Sequence, residues 1–86
     1  MEEKKHWKHE LSEQFEEEIE DANKYLDLAE EAEEDKCYIT ANALELIANE
    51  EYSHAHFLRG RLEEWEMFTH EDEELMEKLE RRMGYR

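Results

Sequence analysis

Leu44-Glu45-Leu46-Ile47-Ala48-Asn49-Glu50-Glu51-Tyr52-Ser53-His54-Ala55 is the stretch on which the fold turns. Here and just beyond, Leu44, Ile47, Ala55, Leu58 and Leu62 recur at the i, i+3, i+4 and i+7 spacing of one face of an α-helix. Glu51 and His54 share that face, because residues three apart stack one above the other on a helix. A carboxylate turned into an apolar seam is costly unless it is neutralised, paired or bound to a cation. A metal ion satisfies both residues at once.

Reading outward, this helix is expected from about residue 37 to 65. Before it, Leu11, Phe15, Ile19, Ala22, Tyr25, Leu26, Ala29 and Ala32 form the apolar stripe of a first helix, from about 12 to 33. Glu33-Glu34-Asp35-Lys36 interrupts the stripe and is the place for a tight turn. Residues 1 to 10 hold one large apolar side chain, Trp7, and suit either a frayed tail or an extra helical turn. After the second helix, Thr69 reads as an N-cap with Glu71 and Asp72 behind it, and Gly84 as a C-terminal cap. Leu75, Met76, Leu79 and Met83 between them give a short third helix, about 70 to 83.

Composition agrees and narrows the function. The 86 residues contain no proline and two glycines, 44% are charged, and Glu dominates, which is helix-forming and sufficient for one small domain. A net charge of -16 argues against nucleic acid, whose phosphates require clustered Lys and Arg, and favours cations as partners. Much of the Glu-rich surface need do no more than keep the chain soluble. With neither an apolar run of membrane-spanning length nor a secretory leader, no membrane is expected and the expected location is cytoplasmic. Cys37 is a lone cysteine, so it forms no intrachain disulfide and reads as a helix-start residue.

The first helix carries a misplaced carboxylate of its own. Glu18 lies on the inward stripe, three residues after Phe15 and four before Ala22, with Tyr25 further along the same face. A hairpin folded at residues 34 and 35 sets Glu18 level with Glu51. One hairpin therefore offers Glu18, Glu51 and His54, too few ligands for two metals, while a symmetric dimer offers twice that set. A Glu from each of two helices and a Glu-x-x-His from each of two others is the ligand set of the di-iron and di-manganese four-helix bundles. Oxygen-rich ligands with one imidazole per metal suit Fe or Mn better than a closed structural zinc site.

Glu18-x6-Tyr25 facing Glu51-x-x-His54 resembles the ferritin-like superfamily, and the short chain resembles the encapsulated ferritins within it. The resemblance implies an all-α antiparallel hairpin plus a short C-terminal helix, dimerising into a ferritin-like four-helix bundle with two irons per dimer. It implies a ferroxidase, oxidising Fe(II) to Fe(III) with oxygen or peroxide, for iron storage or detoxification. By position, Glu51 bridges the irons, Glu18 and His54 complete their shells, and Tyr25 hydrogen-bonds a ligand carboxylate. Glu17 and Glu20 match the family's acidic approach site, although Lys24 stands where the family commonly has an aromatic residue. The resemblance also implies an obligate homodimer and a larger ring such as a pentamer of dimers. The resemblance raises an encapsulin nanocompartment as an enclosure, but Glu80 to Arg86 lacks the extended tail with a cargo-targeting peptide, so the sequence does not support packaging inside one.

Two alternatives stay open. One is a rubrerythrin-like peroxide-reducing or manganese-containing di-metal protein. The other is a metal-free helical interaction module in which Glu51 and His54 pair across a dimer. His6, His9, His56 and His70 read as surface residues. Trp65, Met67 and Phe68 read as core or interface, and with Leu75, Met76 and Leu79 they are the expected second interface of a larger assembly.

Overall fold

The computed structural model describes residues 3–85, of which residues 3–6 are described in backbone only, so the side chain of His6 lies outside the described residues. The chain is all-α: α1 (Glu3–Glu34), α2 (Tyr38–Glu64) and α3 (His70–Arg82). The long α1 and α2 form an antiparallel pair, and the shorter α3 lies along one flank of it.

α1 begins well before residue 12, so residues 3–10 supply extra helical turns, and residues 1 and 2 lie outside the described residues. The extension has an anchor. The indole of Trp7 meets that of Trp65 edge to face, with ring centroids 5.5 Å apart, and Lys8 places its ammonium 4.2 Å from the Trp65 ring centre. Trp65 is thereby engaged within the chain.

The hairpin seam is narrower than the sequence pattern implies. Fully buried residues recur every seven positions, at Phe15, Ala22 and Ala29 on α1 and at Ala41, Ala48, Ala55 and Leu62 on α2. A period of seven keeps one line of side chains facing the partner helix, and alanine on that line lets the two backbones approach closely. At the open end of the hairpin the seam widens into a larger core of Phe15, Ile19, Leu62, Met76 and Leu79, with Phe68 edge to face on Phe15.

All three helices end the same way. Cys37 N–H bonds to the Ala32 carbonyl at 2.8 Å and Lys36 N–H to Glu33 at 2.9 Å, with Lys36 left-handed at φ 62°. Met67 repeats this on Leu62 with Glu66 left-handed, and Tyr85 on Glu80 with Gly84 left-handed. These are Schellman motifs, which satisfy the last carbonyls of a helix and turn the chain out of it. At its start α3 has a capping box: Asp72 N–H donates to Thr69 Oγ1, and Thr69 N–H donates to Asp72 Oδ2, both at 3.1 Å.

Polar links hold α3 against the hairpin. Arg59 pairs with Glu73 at 3.0 Å, the Tyr52 hydroxyl donates to Glu80 at 2.7 Å, and Tyr85 bonds to Asn49. Arg82 engages Asn23, Asp27 and Glu30 of α1. Met76 and Leu79 are buried beneath these links, so they belong to the chain's own core and not to a second interface. Leu75 stays exposed.

Candidate metal centre

Each long helix has two flanks beside its buried line. On α2, Tyr52 and Arg59 lie three before and four after Ala55, on the flank that α3 covers. Glu51 and Leu58 lie four before and three after it, on the opposite flank, with His54 beside them. On α1, Glu18 and Tyr25 hold the matching positions around Ala22. The side chains of interest therefore share the flank that α3 leaves uncovered.

Glu18, Glu51 and His54 come together there, each offering one ligand atom, all within 4.8 Å of one another. Two donors on opposite sides of a divalent ion stand about 4–5 Å apart at metal–ligand distances of ~2.0–2.5 Å, so the three atoms suit one cation. Glu18 is the most enclosed of the three, Glu51 is half-buried, and the His54 side chain is 60% exposed. His54 thus stands at the rim of the seam, where the sequence pattern places it inside.

The charges in the cluster are unresolved by the protein alone. Glu18 Oε2 is buried without a hydrogen-bond partner. His54 Nδ1 stands 3.5 Å away, an ion pair when the imidazole is protonated, and Glu51 supplies a donor only when it carries a proton. That shared hydrogen bond with Glu18 is the first cause of a Glu51 carboxyl pushed up to about 7, followed by burial and the Glu18 charge. Asp21 adds a further like charge, and His54 opposes the shift. Burial pushes Glu18 upward too, but hydrogen bonds from Glu51 and Gln14, with His54 beside it, outweigh this and hold its carboxyl below the usual range. Two carboxylates thus share one proton, a place a cation fills naturally.

The remaining expected residues lie outside this group. Glu17 and Glu20 are exposed, as is Lys24. Tyr25 is half-buried on the same flank and makes no hydrogen bond among the described residues. His9 and His70 face Glu13 and Glu74 at the surface, and exposed His56 tilts against the Tyr52 ring. Two neighbours escaped the sequence reading: Gln14, which donates to Glu18 Oε1 at 2.9 Å, and Asp21. Their signal was positional, one helical turn before and one after Glu18.

No family model matches the chain, no curated protein matches it at a significant level, and no solved structure does. The metal-binding inference consequently rests on the side-chain geometry. Among the described residues no helix is long and apolar enough to cross a membrane.

Proposed function

We propose that the chain is a ferroxidase, oxidising Fe(II) to Fe(III) at a two-iron centre that forms when two copies place their uncovered flanks together. The observation that carries this reading is the Glu18, Glu51 and His54 cluster, with a buried carboxylate oxygen lacking a donor, on the flank away from α3. A second copy doubles the ligand set to the four Glu and two His of di-iron bundles. Half-buried Tyr25, Leu44, Ile47 and Leu58 on the same flank supply apolar surface for such a contact.

Fe(II) is the substrate. Two Fe(II) ions release two electrons, which convert one oxygen molecule and two protons to hydrogen peroxide, or one peroxide and two protons to water. The chain binds and orients the metal ions, and the donor set leaves room in a six-coordinate shell for the oxidant. Iron storage or detoxification is the corresponding role, Glu17 and Glu20 form the acidic approach, and Tyr25 steadies a ligand carboxylate. The supporting chemistry is the hard oxygen donors with a single imidazole, a combination that also accepts Mn.

One observation favours a second reading, a metal-free helical module. Glu18 reaches His54 at 3.5 Å and shares a proton with Glu51, so the cluster can neutralise itself within one chain. Oxygen-dependent ferric absorbance after anaerobic Fe(II) loading separates the two. Glu51→Ala and His54→Ala are expected to slow oxidation more than about tenfold. Variants that oxidise iron at the parental rate would remove the ferroxidase reading.

A further inference from the structure

The two carboxylate oxygens of Glu18 have different surroundings. Oε1 accepts a hydrogen bond from Gln14 Nε2 at 2.9 Å, one turn earlier on α1. Oε2 is buried without a donor and faces His54. We infer that Gln14 is the positioning residue of the centre: by holding Oε1 it fixes the Glu18 side chain and leaves Oε2 as the oxygen presented to a cation. This inference rests on the metal-binding reading of the cluster and extends it to a residue that acts through Glu18 and is not itself a ligand.

A free glutamate on a helix surface samples several rotamers, and ordering it costs side-chain entropy, which a fixed partner absorbs before the metal arrives. The i, i+4 spacing on a helix lets this partner reach Glu18 without distorting the backbone. An amide suits the position because it donates without charge: Lys or Arg would hold the same oxygen while repelling an incoming cation, and an acid would compete for it. Groups that orient metal ligands typically influence affinity by about 10–100-fold.

Calorimetric titration with Co(II), read together with the cobalt visible absorption and metal-free thermal melts, tests the role. Gln14→Met keeps the chain length and removes the donor, and Gln14→Ala removes the side chain. Both are expected to bind Co(II) at least about tenfold more weakly, with an altered cobalt spectrum and unchanged metal-free melting. Two results overturn the inference: variants that bind Co(II) as tightly as the parent, or a loss of affinity that merely follows a lower metal-free melting point. A parent that binds no Co(II) removes the metal-binding reading itself and this inference with it. Tight parental binding retained by the variants removes the positioning role alone.

Discussion

Glu51 is the residue whose chemistry decides what the cluster is. Its folded carboxyl holds a proton up to about 7, against an ordinary value of 4.5. A raised acid stabilises the fold while it is protonated, so this contribution is complete below the ordinary value and disappears as pH rises through 7. Glu18 has the opposite sign and a separate window: its lowered carboxyl contributes above the ordinary value and loses that contribution as pH falls further. Metal-free protein is therefore expected to melt at progressively lower temperature from pH 5 to about 7, then level off. Glu51→Gln, which imitates the protonated acid, is expected to abolish that slope and to bind no metal. Because a bound cation would displace the same proton, apparent affinity is expected to rise with pH and to level off above about 7. Melting temperatures that stay flat, or rise, over that interval would mean the two carboxylates do not share a proton.

At the level of elements, the seam between α1 and α2 sets the distance between Glu18 and Glu51. Ala48 sits fully buried midway along it, one turn before Glu51. Ala48→Leu is expected to overpack the seam at a cost of about 1–3 kcal/mol, and to part the two carboxylates so that metal affinity falls as well. Calorimetric melts with and without Mn(II) check both effects, and unchanged affinity in a destabilised variant would uncouple the seam from the centre. The helices and the level match of Glu18 with Glu51 were legible because they follow from period and chain reversal alone. The ends of α1 and α2, expected near 33 and 65, fall at Glu34 and Glu64 even though Lys36 and Glu66 take the left-handed cap positions where glycine is the usual signal, whereas Gly84 and Thr69 announced theirs. The start of α1 was hidden. Trp7 is the one large apolar side chain in the polar stretch 3–10, and its partner Trp65 comes from the far end of α2. A periodic reading also could not separate the buried alanine line from the adjoining flank, so it placed His54 inside when a single chain leaves it at the rim.

On the scale of the whole molecule, the chain spans 53 × 26 × 15 Å. α3 protects one flank of the hairpin with Arg59, Tyr52 and Arg82, leaving the flank of Glu18, Glu51, Leu44 and Ile47 uncovered. In the proposed assembly a second copy would cover that flank and double the ligand set. It also concentrates carboxylates, in a chain of net charge -16, so the assembly is expected to depend on bound cation and to loosen on chelation. Ile47→Glu is expected to shift the chain toward monomer and to lower metal content in parallel, as light scattering with elemental analysis would show; a dimer that persists without loss of metal would place the contact elsewhere. The mass of the intact protein in its native state, after anaerobic loading with Fe(II), tests the central claim most directly. The account predicts a dimer, or a multiple of dimers, carrying about one iron per chain, and an iron-free monomer would contradict it.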